Sequence, residues 1–139
     1  MDATDRQIIN VLAENGRMKM KELGERVHLT GQAASARVLK LEEEGIIEGY
    51  TIRLNYDKVG FPVHVFLSIF TRGYHHKSYF NFIHSQEPYV LNNYKVSGEG
   101  CYLLQCRFPS NTELDEFLTS LSVYVDYKLS VVINENKER

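Results

Sequence analysis

Apolar residues in the first part of the chain recur at helical spacing in short segments. The first segment has apolar residues at positions 8, 9 and 12. It predicts a helix from Thr4 to Gly16, with Thr4 and Gln7 forming a capping box and Gly16 ending the helix. A second helix is predicted from Lys19 to Val27, because its apolar positions 23 and 27 are four residues apart.

A third helix is predicted over residues 31–44, with Thr30 as its N-cap. Ala34, Val38 and Leu41 fall on one face of this helix. Only residues 28–30 separate it from the second helix. Two short helices joined by such a turn, after a supporting first helix, are typical of a helix-turn-helix.

The segment after the third helix changes character at Gly45, which is expected to end that helix. Residues 46–54 alternate Tyr50, Ile52 and Leu54 with polar positions and predict a wing or a strand. Residues 55–62 are polar and turn-rich, which indicates a linker. We therefore assign residues 1–54 to a winged helix-turn-helix, 55–62 to a linker and 63–139 to a second domain.

The second domain begins with a strand in which both faces are largely apolar. One face carries positions 63, 65, 67 and 69, and the other carries His64, Phe66, Ser68 and Phe70. A layer of helices can cover only one of these faces. The strand therefore predicts a packed partner on the other face, either another strand layer or another subunit, and dimerisation where that face is left open.

Further elements follow with helical or alternating patterns. A helix is predicted at residues 75–85, with His76, Phe80 and Ile83 inward, and strands at 89–96 and 102–108. Ser110 and Glu113 predict a capping box before an apolar stripe at positions 114, 117, 118 and 121, and a last strand alternates positions 127, 129, 131 and 133. The order βαββαβ predicts an α+β, ferredoxin-like domain.

Composition describes a folded chain but does not identify its partner. Of the 139 residues 43% are hydrophobic and 24% are charged, and no apolar run approaches the length of a membrane span. The N-terminus does not resemble a signal peptide, so a cytoplasmic location is expected. The net charge is −2, and the first 59 residues contain nine Lys or Arg against ten Asp or Glu. A DNA-binding function must therefore depend on where the cations lie.

The cysteines and histidines have no spacing that predicts a catalytic or metal site. Cys101 and Cys106 are five residues apart, which on a strand places them on opposite faces and disfavours a disulfide. The five histidines match no zinc motif. No metal, cofactor or catalytic residue is predicted, and an enzyme on a ferredoxin-like fold is the rival class that this disfavours.

The third helix supplies the candidate DNA contacts. Its core face leaves Gln32, Ala36 and Lys40 outward, where Gln32 suits an adenine edge and Ala36 a thymine methyl group. The remaining candidates are Ser35 for a base or phosphate, Arg37 for a phosphate or as a brace of the domain, and Thr30 and Gly31 beside the free helix amides. The alternative is that these side chains form an ordinary solvated helix face.

The chain resembles the Lrp/AsnC family of feast/famine regulators over nearly its whole length. The resemblance is carried by residues 5–12, 21–23, 29–30, 37–50 and 96–104, the last reading Val-Ser-Gly-Glu-Gly-Cys-Tyr-Leu-Leu. It implies a DNA-reading helix-turn-helix and a C-terminal domain that dimerises, assembles further to a size such as an octamer, and commonly binds an amino acid. The chain departs from the family pattern at Gly100, Cys101, Ala36 and Leu39.

The resemblance makes the loop Gly98, Glu99, Gly100, Cys101 and Tyr102 the candidate effector site. Its glycines let backbone amides approach a carboxylate, although a tight strand connection would need the same glycines. The sequence therefore predicts a sequence-specific transcriptional regulator that binds double-stranded DNA and responds to an amino acid. An architectural protein that wraps or bridges DNA without an effector is the alternative.

Overall fold

The computed structural model describes residues 1–73 and 76–136 and divides the chain into two compact units, Met1–Arg53 and Leu54–Arg139. The first unit contains α1 (Ala3–Glu14), α2 (Met20–Val27) and α3 (Gly31–Glu43). The second contains β1 (Val63–Thr71), α4 (Lys77–Ser85), β2 (Val90–Lys95), β3 (Tyr102–Phe108), α5 (Asn111–Leu121) and β4 (Val125–Val131). Within the described residues, no helix is long and apolar enough to cross a bilayer.

The first unit folds around one small apolar cluster. Ile8 and Leu12 of α1, Leu23 of α2 and Val38 of α3 are among the buried residues that meet there. The Thr30 hydroxyl caps α3 by accepting a bond from the Ala33 amide at 3.1 Å, as predicted. The three helices thereby bury their apolar faces on one another and leave the opposite face of α3 exposed.

The predicted ends of α1 are wrong. The cap is Asp2 rather than Thr4, and its carboxylate accepts from the Asp5 amide at 2.9 Å while the Asp5 carboxylate accepts from the Asp2 amide at 3.1 Å. The helix ends at Glu14 with Asn15 as its C-cap, and Gly16 does not adopt the left-handed conformation predicted for it. Aspartate offers the same cap chemistry as threonine, so the sequence contained two overlapping start signals.

The strand predicted within residues 46–54 is also absent from the described structure. Gly45 turns the chain with φ +73°, and the Ile46 and Ile47 amides then donate back to the Leu41 carbonyl at 2.9 and 3.1 Å. The following side chains include Tyr50 and Ile52, which are exposed. A strand needs a hydrogen-bonded neighbour, and none lies beside this segment in the described chain.

The second unit is an antiparallel sheet with the strand order β2-β3-β1-β4, which is the arrangement predicted for a ferredoxin-like βαββαβ chain. Both helices pack on one face, where Val65, Leu67 and Ile69 of β1 are fully buried with Leu104 and Phe117. Of the apolar stripe predicted for α5, positions 114, 117 and 121 are buried and Leu118 is partly buried. One face of the sheet therefore carries the core.

Helix α4 differs from its prediction in the residues that it buries. Its buried side chains are Tyr79, Phe82 and Ile83, while Phe80 is only partly buried and His76 precedes the helix. The tyrosine displaces the predicted stripe because its hydroxyl donates to Asn93 Oδ1 at 2.8 Å, which lets the ring enter the core. His75, the predicted helix start, lies outside the described residues.

Candidate nucleic-acid interface and effector loop

The turn between α2 and α3 is held by backbone contacts that bring the two helices close together. His28 occupies the left-handed region with φ 61°, and the Leu29 amide donates to the Gly24 carbonyl at 2.8 Å. A Cβ atom at Gly24 would lie 2.5 Å from the Leu29 carbonyl oxygen. Close backbone approach at this glycine therefore fixes where α3 begins relative to α2.

The outward face of α3 brings most of the predicted DNA contacts onto one exposed surface. Gln32, Ser35, Ala36 and Lys40 are all exposed, and Thr30 is exposed at the N-terminal end. Gly31 is half-buried, because its Cα packs against the backbone of α2, where an added Cβ would lie 3.1 Å from the Lys21 Cα. The amides of the first turn of α3 are near this surface and suit a phosphate.

Arg37 lies at the edge of that surface and is engaged by the first helix. Its Nη1 donates to the two Asp2 carboxylate oxygens at 2.6 and 2.8 Å and to Asp5 Oδ1 at 3.3 Å. The hydrogen bond from Arg37, with that from the Asp5 amide, lowers the pKa of Asp2 to about 2. The guanidinium thus braces α3 against the N-terminus of α1, which is one of the two roles considered for it.

Leu39 is the residue on this face that the sequence analysis did not include among the contacts. It is 55% exposed and lies three residues after Ala36 and seven after Gln32, so the three share one stripe of the helix. Its apolar character hid it, because leucine in a helix normally signals the core. The clue available in the sequence was that Leu39 does not fit the inward positions 34, 38 and 41.

The loop from Gly98 to Tyr102 forms a tight connection that contacts the backbone of β1. Gly98 and Gly100 have φ values of +107° and +82°, and a Cβ at Gly100 would lie 2.8 Å from the Ile69 carbonyl oxygen. The Cys101 amide donates to that same oxygen at 2.7 Å. This close approach of two backbones is enough to explain why position 100 is glycine, and no ligand is needed to explain it.

The polar side chains of the loop point in different directions. Glu99 Oε1 accepts from Lys128 Nζ at 2.5 Å, and the Cys101 thiol lies 3.3 Å from the Thr71 hydroxyl. Hydrogen bonds from the side chain and backbone of Thr71 hold the pKa of Cys101 below its ordinary value. The carboxylate of Glu99 is thus directed toward β4.

Tyr102, the last residue of the candidate loop, belongs to the core face of the sheet. It is buried, stacks on Tyr79 with ring centroids 5.2 Å apart, and has its hydroxyl 2.7 Å from His76 Nδ1. Burial raises the pKa of the Tyr102 hydroxyl. The Tyr102 side chain therefore anchors the end of the loop in the core of the second unit.

The open face of the sheet carries a polar network that the sequence analysis did not detect. Arg107 Nη2 lies 3.2 Å from His64 Nδ1 and donates to Glu135 Oε1 at 2.6 Å, while Nη1 donates to the Phe61 carbonyl at 3.2 Å. Burial, followed by the charge of Arg107, lowers the pKa of His64. This network fixes the segment before β1 and residue 135 to β3.

Comparison with known proteins identifies a family for each part of the chain. Residues 1–48 match a family described as winged helix-turn-helix DNA-binding, and residues 64–139 match the Lrp/AsnC ligand binding domain. The chain belongs to the Lrp/AsnC family. This family consists of DNA-binding transcriptional regulators rather than enzymes. The predicted family, fold class and regulatory function are therefore confirmed.

Relatives of this Lrp/AsnC chain span its full length. The HTH-type transcriptional regulator LrpA of Bacillus subtilis is 50% identical over 135 residues, covering 97% of this chain and 99% of the relative. LrpB of the same organism is 36% identical over 138 residues, covering 99% and 92%. Each of these relatives is a transcriptional regulator by name.

Solved Lrp/AsnC structures also superpose on the whole chain. That of B. subtilis LrpC has a TM-score of 0.93 at 27% identity and covers 100% of this chain and 99% of its own. A transcriptional regulator of Neisseria meningitidis in complex with L-Met has a TM-score of 0.88 at 30% identity, covering 99% and 93%. That relative is thus a regulator in complex with an amino acid.

Proposed function

We propose that α3 is the recognition helix of this regulator and that Thr30, Gly31, Gln32, Ser35, Ala36 and Lys40 contact double-stranded DNA. The observation that supports this proposal is the exposed face of α3, which a tight turn and a three-helix core present to solvent. Gln32 pairs with an adenine edge, and Lys40 contacts a phosphate. Arg37 acts on DNA indirectly by holding α3 in place.

A Gln32→Ala variant tests the base contact, with Lys40→Ala as the matched comparison. Binding is measured by gel shift on the region upstream of the gene and on random DNA at the same salt concentration. Gln32→Ala should lose preference at an A·T pair by roughly five- to a hundredfold, whereas Lys40→Ala should weaken binding to all sequences and reduce the salt slope by about one. Equal binding of the wild type to both DNAs would instead favour the architectural protein.

The same proposal includes a homodimer formed through the open face of the sheet. Phe66 and Phe70 are only half-buried there, and both helices of the unit cover the opposite face. When two linked helix-turn-helix units, here called heads, bind one DNA, the second contact becomes intramolecular. This compensates for the small number of cations in each head. A monomeric Phe66→Lys variant that binds a half-site as tightly as the wild type binds its full operator would refute this coupling.

An amino acid is the proposed effector, bound around residues 98–102 with help from a neighbouring copy. Support comes from the matching ligand binding domain and from the L-Met complex of the Neisseria relative. A thermal-shift screen with the twenty amino acids at millimolar concentration tests it, because a ligand that binds only the folded protein raises Tm. No shift with any of them would refute the amino-acid effector. The proposed location is the cytoplasm, where the DNA is.

A further inference from the structure

We infer that Leu39 is a specificity-determining residue that reads thymine methyl groups in the major groove. This inference rests on the proposed role of α3 as the recognition helix. It extends that role to a side chain which is neither charged nor able to form a hydrogen bond. The ligand chemistry is therefore the C5-methyl group of thymine, together with the apolar edge that it gives an A·T pair.

The position of Leu39 on the helix carries the first step. Ala34, Val38 and Leu41 are 0–6% exposed and define the inward face of α3, whereas Leu39 is 55% exposed. Leu39 cannot serve the core of its own unit, since the opposite side of the helix fills that core. Leu39 continues an exposed apolar strip with Ala36, and a contiguous apolar strip on an exposed helix face suits a surface that a partner covers.

The neighbours of Leu39 identify that partner as DNA. Gln32 and Ala36 lie on the same stripe at helical spacing, so the leucine continues the surface that the first two turns of α3 present. Ala36 and Leu39 together form an apolar pair three residues apart beside one adenine-reading amide. The apolar pair suits the methyl groups of consecutive A·T pairs, and neither Ala36 nor Leu39 can donate to the O6 and N7 atoms of guanine.

The charges around the stripe support base contact over phosphate contact at this position. The nearest cation on α3 is Lys40, whose ammonium lies 3.9 Å from the Glu44 carboxylate, and Arg37 is turned toward Asp2 and Asp5. Leucine cannot neutralise a phosphate. Its contribution to affinity is therefore independent of salt, unlike that of Lys40.

Replacing thymine by deoxyuracil tests the inference, because it removes the methyl group and leaves the hydrogen-bonding edge unchanged. A preferred sequence is first enriched from random DNA with the full-length protein, and each thymine is then replaced singly. The wild type should lose about fourfold in affinity at one or two positions, the value expected for one buried methyl group. Leu39→Ala should bind the thymine and deoxyuracil forms equally at the position that Leu39 contacts, while an effect at a second position, contacted by Ala36, should remain.

Two comparison variants separate Leu39 from its surroundings. Leu39→Met keeps an apolar side chain of similar reach and should retain the deoxyuracil effect, while Lys40→Ala should weaken binding at every sequence and leave the effect unchanged. Circular dichroism verifies that each variant folds, as expected for exposed positions.

The possible results distinguish this inference from the proposed function. Deoxyuracil effects that persist unchanged at every sensitive position in Leu39→Ala would overturn the role of Leu39 and leave the recognition helix in place. Sequence-specific binding without any deoxyuracil effect would do the same. Failure to enrich any sequence would overturn both proposals.

Discussion

Replacing Gly24 by alanine tests the close backbone approach between α2 and the turn that precedes α3. The added Cβ would lie 2.5 Å from the Leu29 carbonyl oxygen and 2.9 Å from the carbonyl carbon and oxygen of Thr30. These atoms are backbone, so the turn must move as a whole. Alanine in place of glycine normally stabilises a helix by about 1 kcal/mol, so steric cost and helix propensity oppose each other here.

The magnitudes decide which effect prevails. Overpacking a tight site costs roughly 1–3 kcal/mol, and a rigid obstacle places Gly24→Ala near the upper value. The Gly24 carbonyl also accepts from the His28 and Leu29 amides, and weakening these bonds costs about another 1 kcal/mol. After subtraction of the propensity gain, we expect a net loss of about 2–3 kcal/mol in the free energy of unfolding of the first unit.

Urea unfolding of the full-length chain by far-UV circular dichroism measures this loss, because the chain has no tryptophan for fluorescence. Hydrogen exchange of peptides from α2 and α3 assigns it to the first unit. Gly49→Ala is the control, since a Cβ there meets no atom within 4 Å. A Gly24→Ala variant as stable as the wild type would refute the close-contact argument.

Three further changes follow from the same structure. Gly100→Ala brings a Cβ to 2.8 Å from a β1 carbonyl at φ +82° and should destabilise the second unit by about 1–3 kcal/mol in urea. Burial lowers the pKa of His64 in the folded chain, so its neutral ring contributes to the free energy of unfolding at a pH above the ordinary pKa of 6.5, and this contribution falls as the pH drops below 6.5. His64→Asn should flatten that part of the curve of unfolding free energy against pH, measured by urea unfolding. Arg37→Gln should raise the pKa of Asp2 from about 2 toward 3.8 in an NMR titration, because the carboxylate loses its arginine donor and keeps only the Asp5 amide; an unchanged value would contradict the brace.

The elements of this chain were predictable where burial has a period. Positions 34, 38 and 41 of α3 and positions 65, 67 and 69 of β1 repeat at 3.6 and 2 residues, and all are buried. Helix α4 was predicted in place but with a wrong face, because three aromatic residues offered two competing stripes. A hydrogen bond from Tyr79 to Asn93, which are far from adjacent in sequence, decided between them.

The candidate site shows a different limit of the sequence. Thr30 and Gln32 were identifiable because a cap marks the start of α3 and the turn before it is short. The brace by Asp2 depends on a contact 35 residues away, and no local pattern predicts such a pair. The direction of Glu99 toward Lys128 likewise follows only from the pairing of β1 with β3 and β4.

The placement of charge explains how a slightly acidic head can serve a DNA-binding protein. Arg37 forms ion pairs with Asp2 and Asp5, and Arg26 lies 3.9 Å from Glu22. Some of the arginine side chains are therefore paired within the unit itself. Fewer phosphate contacts mean a shallower salt dependence for each head, since each contact contributes about 0.9 to the slope. An apolar contact from Leu39 adds affinity that salt does not screen. In the proposed dimer, tight binding comes from two helix-turn-helix units joined through the second unit, so we expect the dimer to govern affinity and α3 to govern sequence preference.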